Sequence, residues 1–159
     1  MFRKMRRFKQ QLPAEECVAI MKREKRGVLS VLGDDGYPYG VPLDHYYDEA
    51  SGKLYFHCAK AGHKLDAIRA CDKVSYCITG EGCHEDGVEW SLTFRSVIVF
   101  GRMRVLEDEE ASLRLARLLG EKFTDDAAYL DNEIKHAGPR MLMLELTPEH
   151  ITGKRVNES

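Results

Sequence analysis

Pro42 restricts the fold more than any other residue. It lies inside a strand-like run, Tyr39 to Tyr47, flanked by two turn segments, Gly33-Asp34-Asp35-Gly36 and Asp48-Glu49-Ala50-Ser51-Gly52. Proline has no N–H to give to a ladder, so within sheets it is confined to edges, first positions and bulges. The strand therefore needs a free edge or a break at Pro42, and a barrel that is split at this point supplies it.

The rest of the pattern agrees with such a barrel. Pro13, Glu15 and Glu16 open an amphipathic helix with Cys17, Val18, Ile20 and Met21 on its apolar side, and Gly27 offers its stop. Strands follow at Val28–Leu32, at Tyr39–Tyr47 and at Lys53–Cys58, and a short helix runs from Lys64 to Cys71. A strand at Val74–Thr79 and a polar loop, Gly80–Gly87, lead to a long strand from Glu89 to Leu106. That strand exceeds the usual length, so a bend is expected near Arg95-Ser96. Asp108-Glu109-Glu110 opens a helix that buries Leu113, Leu115, Leu118 and Leu119, a weaker helix covers Ala127–Lys135, and Met141–Leu146 is the last strand. About six strands joined by tight turns, with helices at the rims, describe a mainly β, antiparallel six-stranded barrel with α+β decoration.

At 159 residues this is expected to be one domain spanning 1–159. A formal net charge of −2 argues against nucleic acid as the main partner. The basic head, Arg3-Lys4-Met5-Arg6-Arg7-Phe8-Lys9, could meet an anion or stand in solvent as an arm. No apolar run approaches the roughly 18 residues of a membrane span, and the head lacks the apolar stretch of a secretory signal. Five cysteines, odd in number and without a CxxC pair, suit a reduced, cytoplasmic setting. A zinc site from Cys77, Cys83 and His84 would lack a fourth ligand at a familiar spacing.

The segment richest in chemistry is Phe56-His57-Cys58-Ala59-Lys60-Ala61-Gly62-His63-Lys64. A strand ends, a small-residue loop turns, and a helix begins at Gly62-His63-Lys64. A helix start offers free N–H groups and partial positive charge, so it is an anion site. Cations oppose the dipole at that end, and a phosphate would reconcile them with it. The other reading is a plain loop whose basic residues face water.

Several further pieces join this segment: Gly36-Tyr37-Pro38-Tyr39-Gly40-Val41-Pro42-Leu43, Leu54-Tyr55-Phe56-His57, Ser96-Val97-Ile98-Val99-Phe100-Gly101 and Ile151-Thr152-Gly153-Lys154. Their order and spacing resemble the FMN-binding split barrels related to pyridoxamine 5'-phosphate oxidase. Within that family the nitroimidazole-resistance (Nim) branch is nearest in pattern, from about Gly27 to Lys154. The resemblance implies FMN bound between the subunits of a homodimer. Val41, Pro42 and Leu43 would lie along the flavin, and His57, Cys58 and Ala59 would flank it on the neighbouring strand. Gly62, His63 and Lys64 would hold its phosphate, and Ser96 and Val97 would reach it from the other subunit. On the residues alone, Val41, Leu43 and Val97 can equally be barrel core, Cys58 a small buried residue, Ser96 the mark of a bulge and Trp90 a barrel residue.

The implied activity is flavin-dependent oxidoreduction of a small molecule, nitroreductase-like, with NAD(P)H or another reductant as donor. His57 is the candidate catalytic residue, because a histidine proton moves near neutral pH. Strand alternation turns His57 and Cys58 to opposite faces, and no basic group is evident on the Cys58 face. Two other functions fit the same residues: a flavin carrier or sensor without turnover, or a haem-binding split barrel with His57 as axial ligand. Authentic pyridoxamine-phosphate oxidases use Trp, Arg and His in a C-terminal segment. This chain ends Gly153-Lys154-Arg155-Val156-Asn157-Glu158-Ser159, so oxidation of a B6 vitamer is not expected. It also has no dinucleotide fingerprint or P-loop.

Overall fold

In the computed structural model, which describes residues 1–84 and 92–157, the chain forms four α-helices and nine strands. The strands are β1 (Gln11–Leu12), β2 (Arg26–Leu32), β3 (Pro38–Asp44), β4 (Tyr46–Asp48), β5 (Lys53–Ala59), β6 (Lys73–Thr79), β7 (Cys83–His84), β8 (Leu92–Leu106) and β9 (Met141–Asn157). The helices are α1 (Ala14–Arg23), α2 (His63–Ala70), α3 (Glu109–Gly120) and α4 (Ala127–Ala137). The sequence-predicted strand start at Glu89, and Trp90, lie outside the described residues.

Every ladder is antiparallel, and the order runs β3-β2-β6-β8-β9-β5-β4. The two ends of this order are consecutive in sequence. Only His45 separates β3 from β4, so one bent strand pairs with β2 by its first half and with β5 by its second. Counted that way the sheet has six principal strands and closes on itself as a split barrel. Pro42 stands opposite Val28 on β3, which is paired on one side only among the described residues. The strand break falls at His45 and not at Pro42, because the free edge alone accommodates the missing N–H.

Alternation along the strands fills the barrel. Leu29 and Val31, Leu54 and Phe56, Tyr76 and Ile78, Val97 and Val99, and Leu144 and Leu146 all point inward and are buried. Helix α1 adds Cys17, Ile20 and Met21 to this cluster, and α2 adds Leu65, Ala67 and Ile68. Helix α3 starts at Asp108, whose side chain accepts from the Ala111 N–H, which satisfies one of the open donors of the first turn. It packs Leu115 against Tyr55 and Met143 on the outer face of β5 and β9. Helix α4, capped by Asp126, leans on α3, and Leu130 comes close enough to Gly120 that a Cβ there would touch it.

The structure corrects three sequence expectations. Gly27 does not stop α1, whose C-cap is Glu24; it lies in β2, where the Tyr76 ring leaves no room for a Cβ. The last strand continues from Leu146 to Asn157, because Pro148 sits beside a bulge and costs no ladder bond there. That bulge, between Phe100 and Gly101, is also where β8 departs from regular register. Arg95 and Ser96, where the bend was expected, pair with Arg155 and Lys154 without interruption. A Cβ at Gly101 would run into the Thr147 carbonyl, which explains glycine at the irregularity.

Candidate functional site

The corner at His45 decides the shape of the split. His45 is fully buried, with Nε2 2.8 Å from the Met21 carbonyl oxygen and Nδ1 2.9 Å from the Tyr76 hydroxyl. The carbonyl can only accept, so Nε2 carries a proton. Tyr76 Oη also lies 2.7 Å from the Leu43 carbonyl, to which it donates. Burial, helped by the Lys122 charge, pulls the His45 pKa down to about 4 against the opposing pull of the Met21 bond and Asp44. Lys122, from the turn after α3, donates to the carbonyls of Glu24 and His45 and so ties the corner from outside. Its own pKa is drawn down to about 8, chiefly by burial. The Tyr76 hydroxyl is held well above the ordinary tyrosine range by burial.

Beyond this corner β3 and β5 run side by side without a ladder. The β4–β5 register sets Tyr46 opposite Tyr55 and Tyr47 opposite Leu54. Carried back through the corner, it places Asp44 opposite His57 and Tyr39 opposite Gly62. Contacts at both ends agree. Asp44 and His57 line one pocket, and the Tyr39 ring stacks on His63 at 4.4 Å between centroids. The split thus extends over about 17 Å of extended chain, from the start of α2 to the corner. Its lips are Tyr39–Asp44 and His57–Ala59.

This arrangement brings most of the sequence-predicted site residues together. Val41 and Leu43 are half-buried and pack inward on the barrel core, while Pro42 is exposed between them. His57 is exposed and Cys58 buried, as alternation requires. At the α2 end, Gly62 has φ 134°, a backbone conformation that favours glycine, and no side chain caps the helix. His63 Nε2 lies 3.6 Å from Asp34, across the β2–β3 turn. Lys64 is half-buried.

Burial pushes the Cys58 thiol up, although Lys64 and Arg69 act on it in the opposite sense. Basic groups therefore do stand near Cys58, contrary to the sequence reading, but desolvation outweighs them and Cys58 remains a thiol. Uncapped helix-start N–H groups with His63 and Lys64 beside them suit the phosphate of a nucleotide cofactor.

Ser96 and Val97 lie apart from these lips. Val97 is fully buried in the barrel interior, so only its backbone faces outward. Ser96 is half-buried on the outer face of β8, along strand from Ile98 and Phe100. That outer face is unusually apolar. Val28, Ile98 and Phe100 are each about two-fifths exposed and Leu32 about half. Ladder pairing joins the rows Pro42-Val28-Cys77-Ile98 and Gly40-Ser30-Ser75-Phe100 across four strands. Phe2, from the basic head, stacks on His150 at 4.7 Å and on Phe100 at 5.7 Å, so the head lies along this face.

Two features of the site were missed in the sequence. Asp44 escaped notice although the hairpin register, once drawn, sets it opposite His57. It is held by Arg26, with Nε 2.6 Å from Oδ1 and Nη2 3.2 Å from Oδ2. The second is a pocket of about 220 Å³ at the corner end of the split, between the barrel wall and α3–α4. Leu119, Phe123, Leu130, Ile134 and Met141 supply its apolar walls, and Asp44, His57 and Glu133 its polar groups. Neither α3 nor α4 carries a sequence signal for it beyond an apolar face.

Known structures share this fold. A candidate 5-nitroimidazole antibiotic resistance protein from Bacteroides thetaiotaomicron superimposes with a TM-score of 0.76 at 17% identity, covering 92% of this chain and 87% of that one. A FAD-binding protein from Mesorhizobium loti is 25% identical with a TM-score of 0.63, over 92% and 97% of the two chains. A FAD and heme binding protein from Mycobacterium smegmatis gives 0.73 at 17% identity, over 94% and 74%. No curated protein matches the chain in sequence. Residues 13–155 match the family described as pyridoxamine 5'-phosphate oxidase. With nine-tenths of its length inside that match, the chain belongs to the pyridoxamine 5'-phosphate oxidase family.

Proposed function

We propose that this protein binds FMN in the split, in sites shared by the two subunits of a homodimer, and acts as an oxidoreductase on small molecules. One observation carries the reading: the register across the split joins an uncapped, cationic helix start at one end to His57 and an apolar pocket at the other. His63, Lys64 and the first N–H groups of α2 would hold the phosphate. Val41, Pro42 and Leu43 on one lip, and His57, Cys58 and Ala59 on the other, would flank the rest of the cofactor. When bound, the flavin supplies the electron chemistry, with NAD(P)H or another reductant as donor, and the protein supplies binding and orientation.

The chain's own residues have limited parts. Cys58, a buried thiol, packs. His57 makes no hydrogen bond among the described residues, so its ring can give a proton to a molecule in the pocket or take one. For the homodimer, the support is the apolar outer face carrying Val28, Leu32, Ile98 and Phe100. A two-fold contact on this face would carry Ser96, and the backbone of Val97, to the partner's site. Among the described residues no helix is long and apolar enough to cross a membrane, and the five cysteines are unpaired; both suit the proposed cytoplasmic setting. FAD is the second reading, favoured by the Mesorhizobium loti protein described as FAD-binding.

The test is the absorbance spectrum and mass of whatever copurifies with the protein. FMN at one per chain supports the proposal, and FAD supports the second reading. A haem Soret band, or protein that takes up no flavin when FMN is added, would overturn both. Turnover of NAD(P)H with a panel of nitro compounds then separates enzyme from carrier.

A further inference from the structure

The pocket at the corner end of the split has a composition that selects its occupant. Five of its walls are large and apolar, and Met141 adds a polarisable sulfur suited to aromatic contact. At about 220 Å³ it is smaller than the cavities that hold drug-sized ligands, so a single substituted ring fits better than a larger compound. Its polar groups are three. Asp44 is committed to Arg26. Glu133, on α4, is exposed. His57 has both ring nitrogens available among the described residues. Among the described residues no lysine or arginine lines the cavity. An anion would therefore meet the Glu133 carboxylate with the nearby cation, Arg26, already held by Asp44, and a cation would bring its charge against apolar walls.

We infer that this pocket binds a neutral, single-ring aromatic molecule with one hydrogen-bonding substituent, which His57 engages. As the place where a flavin enzyme would seat its second substrate, it rests on the function proposed above; as a binding site it does not. Both lips of the split reach it, through Asp44 and His57, so its occupant lies beside whatever the split holds.

The experiment uses phenol as the neutral ring and benzoate as its anionic counterpart. Binding to the purified full chain is followed by saturation-transfer NMR and titration, with flavin content measured on the same samples. Phenol should bind at least tenfold more tightly than benzoate. Ala137 is exposed near the end of α4 and borders the cavity, so Ala137→Phe should occupy it from a position that tolerates bulk. Phenol affinity should fall at least tenfold in that variant, with flavin content unchanged. His57→Ala should lower it by roughly two- to tenfold, the worth of one hydrogen bond. Phenol that binds Ala137→Phe as well as wild type, benzoate that binds as well as phenol, or no phenol binding in flavin-loaded protein would overturn the assignment. Phenol binding retained in a protein that never takes up flavin would support the pocket while removing the cofactor.

Discussion

The buried histidine at the barrel corner makes stability depend on pH in a defined window. His45 has an ordinary solution value near 6.5 when the chain is unfolded, and its pKa falls to about 4 in the fold. Between these values the unfolded chain holds a proton that the folded chain does not, so acid favours unfolding. Stability is fully present above about pH 6.5 and drains away as the pH falls toward 4. At about 1.4 kcal/mol per unit, the loss over the window is about 3 kcal/mol.

The hydrogen bonds do not cause this, since protonated Nδ1 could donate to Tyr76 while Tyr76 donates to Leu43. Burial and Lys122 do. Urea unfolding of wild type and His45→Gln, followed by circular dichroism at intervals from pH 4 to 8, isolates the effect, because other groups titrate alike in both. The difference between the two curves should be flat above pH 7 and fall below 6.5 with a slope of up to one proton. A flat difference throughout, or a His45 ring signal that titrates near 6.5 in the NMR spectrum of the folded protein, would refute the reasoning.

Three other variants probe the fold and the assembly. Tyr76→Phe leaves the Leu43 carbonyl without its donor in the interior, so urea unfolding should show a loss of about 1–3 kcal/mol. Gly101→Ala drives a Cβ into the Thr147 carbonyl and against Leu146; it should cost about 1–3 kcal/mol by overpacking, and an unchanged unfolding midpoint would count against the bulge geometry. Phe100→Asp puts a charge on the apolar outer face, and light scattering should find a monomer with wild-type circular dichroism. A dimer of unchanged stability would place the interface elsewhere.

What could be read from the sequence was the part written in local chemistry. Pro42 implied an edge strand, and β3 is one. Alternation along Leu54-Tyr55-Phe56-His57-Cys58 set His57 and Cys58 on opposite faces, and His57 is exposed and Cys58 buried. Asp108 at the head of α3 sat where a cap belongs. The misreadings came from tertiary contacts. Gly27 resembles a helix stop, and the Cys77 carbonyl and the Tyr76 ring, which leave no room for a Cβ, explain it as a strand residue. Thr147-Pro148-Glu149 resembles the end of a strand, yet β9 passes through it because the bulge opposite Gly101 absorbs the proline. His45 was invisible because its role depends on Met21 and Tyr76, both far away in sequence. The Val97 side chain lies in the core, so any part this residue takes beside a flavin falls to its backbone.

The central claim is that the start of α2 holds the phosphate of FMN, and the most direct measurement is a fluorescence titration of flavin-free protein with FMN and with riboflavin. A charge-assisted contact to phosphate is worth about 1.5–3 kcal/mol, so Lys64→Ala should weaken FMN binding by about ten- to a hundredfold. Riboflavin, which lacks the phosphate, should bind poorly to wild type and equally poorly to the variant. Equal affinity of wild type and Lys64→Ala for FMN, or riboflavin bound as tightly as FMN, would contradict the account.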